Sequence, residues 1–262
     1  MKISHEVPLF LLEDSQKFND YDYALVHLLD SDQDYANYFI KAKQEGRYII
    51  LDNSLHELGT AYNDSGLLHW IDKIRPNEFI VPDVWEDCTQ SIVNARKWTQ
   101  IELPDEVTKV AVVQAKSVRE AITCYQTYRD LGYKKIAFSY GANYYLDHSS
   151  HPNKNLAKAL GRIEIVSRLY NSNIINHTDR VHLLGCQVPQ EFSWYLDMPF
   201  IETIDTSNPI MATIDDMPYS PIGLTEKPKA NMNDHFYMAA EDMDFDLLMW
   251  NLDKFRELLK KY

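Results

Sequence analysis

YIILDNSLHELG, residues 48–59, places four apolar or aromatic side chains, Tyr48 to Leu51, directly before a carboxylate, Asp52. The apolar run is too short for a helix and reads as a buried strand whose end carries an acid. Asn53 and Ser54 hydrogen-bond to their own backbone where strands stop and helices start, so turn chemistry accounts for one such acid. It does not account for repetition. Asp83 follows FIVP, Gln114 follows VAVV, Gly185 follows HLL and Asp205 follows ETI. Asp52 to Asp83 and Asp83 to Gln114 are equal steps of 31 residues (83 − 52 and 114 − 83). That step is the length of one strand-plus-helix unit, which sets the three side chains along one rim of a parallel sheet.

Working outward, short β-rich runs alternate with amphipathic stretches. The runs are YALVHLL (23–29), YIIL (48–51), EFIVP (78–82), KVAVVQ (109–114), KKIAFS (134–139), VHLLG (181–185) and FIETI (200–204). Helical spacing recurs over 89–99, 118–131, 155–170 and 189–196. This order predicts an α/β fold with a parallel sheet and outer helices. An eighth strand, from 7–12 or 210–214, closes a (β/α)₈ TIM-type barrel, and an open doubly wound sheet is the alternative. In a barrel the rim that carries Asp52, Asp83 and Gln114 is the catalytic face. Residues 206–235 hold four prolines and little periodicity and read as one long loop; 241–261 read as a C-terminal helix packed through Phe245, Leu248, Met249 and Trp250. The expectation is one domain over 1–262.

The charge balance of 26 basic against 39 acidic residues, net −13, repels polyanions at long range. A nucleic-acid partner therefore needs a local basic patch. Lys154, Lys158 and Arg162 recur every four residues on one predicted helix and are the candidates for phosphate contact. The cysteines Cys88, Cys124 and Cys186 are far apart in sequence and form no CxxC pair, so they read as buried thiols. No apolar span of 18 residues and no signal-peptide core is present, and the expectation is a soluble, cytoplasmic protein without membrane contact.

The strand-end segments resemble the tRNA-guanine transglycosylase superfamily. LDNSLHELG is similar to the family's Asp-Ser-Gly-Gly-Phe-type segment, VVQAK to its Val-Gln-Gly segment, HLLGCQVPQEF to its Tyr-Leu-Met-Gly segment, and IDTSNP to its Asp-containing segment before a proline. Their order agrees, from about Tyr48 to Pro209. The short chain and the Asp-Asn-Ser variant resemble most the compact phage and bacterial branch that inserts 7-deazaguanines into DNA. The resemblance implies a (β/α)₈ barrel that exchanges guanine for a 7-deazaguanine such as preQ0 or a derivative, which is a co-substrate; no cofactor is expected. It implies Asp205 as the nucleophile and Asp52 as the general acid/base. Asp83, Gln114, Gly185 and Gly141 would contact the base, the last through FSYGA (138–142), which loosely echoes a Gly-Gly-Leu-Ala-Val-Gly stretch. The tRNA enzymes carry a Cys-x-Cys-x-x-Cys plus His zinc site near their C-terminus; no cysteine follows Cys186, so no zinc subdomain and no metal are expected.

The chemistry suits these residues. Base exchange by double displacement needs one ionised carboxylate to attack C1′ and a second to move protons between the leaving and entering bases. The expected acceptor is DNA, in the host cytoplasm if the gene is a phage's. The alternatives are a tRNA acceptor, or a catalytically silent nucleic-acid-binding subunit paired with an active enzyme. A protein partner or a homodimer fits either case.

Overall fold

The computed structural model describes residues 1–260. Eight strands form one all-parallel sheet: β1 (Lys2–Ser4), β2 (Asp22–Leu25), β3 (Ile49–Asp52), β4 (Glu78–Ile80), β5 (Thr108–Val113), β6 (Lys135–Phe138), β7 (Val181–Leu183) and β8 (Ile201–Asp205). Their order is β1-β8-β7-β6-β5-β4-β3-β2, which is the strand order of a (β/α)₈ TIM-type barrel, with helices between strands. The main helices are α1 (Gln33–Gln44), α2 (Asp64–Ile74), α3 (Cys88–Thr99), α4 (Val118–Asp130), α5 (Lys154–Asn171), α6 (Asn208–Ile214) and α7 (Phe245–Leu258).

Contacts gather the chain into two units. One holds Tyr21–Ser139 with Asp179–His182; the other holds Met1–Asp20, Tyr140–Thr178 and the described residues from Leu183 on.

In the first unit β2 to β6 pair in sequence order, with Leu25 opposite Asp52 and Leu51 opposite Phe79. Strand side chains such as Ile50, Phe79, Val112 and Phe138 are fully buried, as expected of parallel strands covered on both faces. The four main helix starts have side-chain caps: Asp32 on α1, Asn63 on α2, Asp87 on α3 and Ser117 on α4 accept from backbone N–H groups of the first turn. Where the strands begin, Glu78 is buried with both carboxylate oxygens taken, one by Lys135 Nζ and one by Arg180 Nη2, each at 2.6 Å. Arg180 belongs to this unit although it lies far along the chain. It accepts the Ile136 N–H on its carbonyl, and the neighbouring Asp179 accepts from the Tyr125 hydroxyl.

In the second unit β1 pairs with β8, Ser4 opposite Asp205. Helix α5 lies against the turn Asn143–His148 so closely that a Cβ on Gly161 would sit 2.0 Å from the Tyr145 carbonyl oxygen. Helix α7 buries Leu248, Asn251, Leu252 and Phe255. The three apolar side chains contribute about 1.5–3 kcal/mol each. Asn251 fixes the segment after β8 by accepting the Tyr219 N–H and donating to Thr213 Oγ1.

Several expected boundaries are corrected. The eighth strand is β1; 210–214 lie in α6, and 7–12 hold the short turns Leu9–Leu11 and Leu12–Ser15. Only the start of YALVHLL is strand, because Val26–Ser31 is helical. Residues 206–235 are not one loop, since α6 and the turn Met232–His235 interrupt them. Helix α7 starts at Phe245, not 241: Ala240–Asp242 form a separate turn, and Asp244 caps the helix by accepting from Leu247 N–H. The expected helix end at Lys261 lies outside the described residues, as does Tyr262. Phe245, Met249 and Trp250 are about half exposed, so the packed face of α7 retains only Leu248 of the expected set.

Candidate functional site

In the first unit three of the expected residues stand where strands end. Asp52 closes β3, and Ser54 then takes a left-handed conformation, φ 59°, at a cost of about 1–2 kcal/mol. The turn brings Ser54 N–H to Asp52 Oδ2 at 2.7 Å. The Tyr23 hydroxyl, from β2, donates to Asp52 Oδ1 at 2.9 Å. Tyr23 is itself fixed by a near-parallel stack on His182, ring centroids 5.9 Å apart. The carboxylate is thus oriented by a donor on each oxygen.

Asp83 follows β4 and is buried. Asn53 Nδ2 donates to its Oδ1 and Gln114 Nε2 to its Oδ2, both at 2.7 Å. Backbone groups set both amides: Asn53 Oδ1 accepts from Leu55 N–H, and Gln114 Oε1 accepts from Glu86 N–H. Neither amide can flip without losing its backbone bond. Burial raises the Asp83 carboxyl to about 6, against the lowering effect of the two amides. A flat carboxylate between two fixed amides is suited to accepting a pair of parallel N–H groups from a planar ligand.

The folded-state pKa of Asp83 lies above its unfolded value, so the folded protein binds the proton more tightly. Its contribution to stability is therefore full below about pH 4 and is lost as pH rises through about 6. Asparagine at this position has no such proton. Relative to Asp83→Asn, the wild type is expected to lose about 3 kcal/mol of unfolding free energy between about pH 4 and pH 7. Urea unfolding of both proteins across that range measures it, and a pH-independent difference would show that Asp83 is not a carboxyl held in a low-dielectric site.

In the second unit Asp205 ends β8 and is buried. The next residue ties down the strand end: Thr206 N–H donates to Ser4 O, its hydroxyl accepts Asn208 N–H, and Cys186 Sγ lies 3.3 Å from the same hydroxyl. His5 Nδ1 is 3.1 Å from Thr206 O. Burial lowers His5 to about 3, so the ring is neutral, and because a carbonyl only accepts, Nδ1 carries the proton.

Gly185 has φ 56°, and a Cβ there would meet Tyr140 Cδ1 at 2.4 Å. The space over Gly185 is filled by the Tyr140 ring, which also carries Lys227 Nζ at 4.6 Å from its centroid. Gly141 presents its carbonyl oxygen to Lys158 Nζ at 2.6 Å.

The basic row is corrected. Lys154 is exposed and Lys158 half-buried, but Arg162 is 1% exposed. Its guanidinium pairs with buried Glu191 at 2.5 Å and donates to the carbonyls of Leu184 and Gly185. Arg162 supports the segment after β7 from inside and does not reach a phosphate on the surface.

Asn53, Tyr23, His182 and Glu86 escaped the sequence reading. Asn53 stands beside Asp52 and had a turn role that explained it, Tyr23 and His182 sit within apolar runs, and Glu86 holds Gln114 through its backbone N–H. The cysteines also differ from expectation in one respect. All three are buried free thiols, yet Cys88 and Cys124 are neighbours. No family model matches the sequence, and no curated protein matches it.

Proposed function

We propose that this chain is a base-exchange glycosyltransferase that replaces guanine in DNA with a 7-deazaguanine derivative. The observation that carries the reading is the buried Asp83 carboxylate held between Asn53 and Gln114 at the end of β4. Guanine and 7-deazaguanines share an edge on which a ring N–H and an exocyclic amino group point the same way. An ionised Asp83 accepts both, and Gln114 beside it restrains the carboxylate.

In this scheme Asp205 is the nucleophile. A carboxylate oxygen bonds to C1′, the C1′–N9 bond breaks, and the departing guanine gains a proton. The incoming base loses its N9 proton and attacks C1′, displacing Asp205 and restoring the original configuration. Asp52 carries the proton between the two bases, a role served by its defined orientation against Tyr23 and Ser54. A base stacked in a duplex must leave the stack to react.

The test is exchange of labelled guanine or a 7-deazaguanine into DNA and into tRNA by the purified protein, with nucleosides identified by mass spectrometry. Incorporation into DNA supports the reading, and incorporation into tRNA alone changes the acceptor. Binding of nucleic acid without incorporation into either would favour the silent-subunit alternative.

A further inference from the structure

We propose that Cys88 and Cys124 form a redox pair in which two-electron oxidation by a peroxide closes a disulfide, joining the first turn of α3 to the middle of α4. The two Sγ atoms are 2.8 Å apart, both thiols are free, and neither has a role in the base-exchange scheme. A disulfide bond is about 2.04 Å long, so closure needs a movement of under about 1 Å.

The two thiols differ in access and in character. Cys88 lines a groove of about 570 Å³ together with Thr89, Arg96, Arg119, Glu120 and Thr123, whereas Cys124 is not part of that lining and is fully buried. Cys88 is the first residue of α3, where the helix dipole favours a thiolate. Hydrogen bonding from Cys124 lowers the Cys88 thiol below its usual range, against burial and the nearby Glu120 and Asp87. The same hydrogen bond, with burial, raises Cys124. Cys88 is therefore the attacking sulfur and Cys124 the resolving one.

The Cys88 thiolate attacks one peroxide oxygen, the O–O bond breaks, and Cys88 becomes a sulfenic acid as hydroxide leaves and takes up the proton that Cys88 released, giving water. Cys124 then attacks the Cys88 sulfur, the S–O bond breaks, and a second water leaves. Two thiols have lost two hydrogens, and one peroxide has become two waters.

The pair also touches the candidate site. Cys124 Sγ lies 3.5 Å from the Gln114 carbonyl oxygen, and Cys88 is two residues from Glu86, whose N–H orients the Gln114 side chain. Closure pulls on both supports of Gln114.

The experiment titrates the whole reduced protein with hydrogen peroxide, blocks remaining thiols by alkylation, and maps tryptic peptides without reduction. The expected product is a linked pair of the peptides 74–96 and 120–129, lighter by two hydrogens and reversed by dithiothreitol. It should form before Cys186 reacts, because burial pushes that thiol up to about 12. In Cys124→Ser the same treatment should leave Cys88 as a sulfenic acid captured by dimedone, with no disulfide. The proposal is overturned if both thiols stay alkylatable at peroxide levels that oxidise Cys186. A Cys88 disulfide to Cys186 or to a second molecule overturns it as well, as does a wild-type Cys88 that stops at the sulfinic acid.

Discussion

Under the proposed base-exchange scheme, Asp205→Asn is expected to lower exchange by at least ~10⁴-fold, because removing the nucleophile of a covalent mechanism removes the step and not merely its rate enhancement. Asparagine keeps the shape of the side chain but is a far weaker nucleophile toward C1′. The strand pairing of Asp205 with Ser4 runs through the backbone, which the substitution keeps, and Thr206 ties the strand end to Asn208 and Ser4. The variant should therefore fold and still bind a guanine-containing oligonucleotide. Two measurements check this: single-turnover exchange of labelled base, and a protein–oligonucleotide adduct that survives denaturing electrophoresis. Wild-type exchange that proceeds with no trappable adduct, or an Asp205→Asn protein that exchanges base at the wild-type rate, would sink the covalent scheme.

Glu191→Gln should destabilise the protein by about 3–5 kcal/mol, since it leaves the Arg162 guanidinium buried without its counter-charge. For a chain of this size that corresponds to a fall in melting temperature of roughly 10 °C. Glu191 is 1% exposed, and its second oxygen faces Gln187 N–H at 3.4 Å, so water cannot readily replace the lost charge. Removing both partners, as in Arg162→Met with Glu191→Leu, is expected to cost less than the single change, because no unpaired ion remains inside. Urea unfolding of the three proteins decides it. A single variant within about 1 kcal/mol of the wild type would mean that the pair is solvated.

Seven strands were legible because Ile49–Asp52, Thr108–Val113 and their like are apolar runs bounded by turns. β1 was not, since Lys2–Ser4 contains one apolar residue, Ile3. Val26 to Leu29 misled because a short apolar run fits a buried strand and a buried helix equally. Equal spacing along the chain places Asp83 and Gln114 side by side, and they are hydrogen-bonded.

The failure at Arg162 has a geometric cause. Each helical residue turns the chain by about 100°, so a step of four overshoots a full turn by about 40° and two steps by about 80°. A row written as i, i+4, i+8 thus winds off one face, and from exposed Lys154 it arrives at the buried side by Arg162.

The ion cluster around Glu78 bears on the order in which the protein is made. Lys135 lies 57 residues beyond Glu78, and Arg180 lies 102 beyond it. A chain growing from its N-terminus has β2 to β6 in hand once Ser139 is out, yet Glu78 still awaits Arg180. The same four residues, Asp179–His182, also bring the acceptor for Tyr125 and the ring for Tyr23. Such distant contacts are slow to form, and the loop must close before they reward it. The first unit is therefore completed only after the intervening residues 140–178 have been synthesised, and until then its charged strand ends stay open to water.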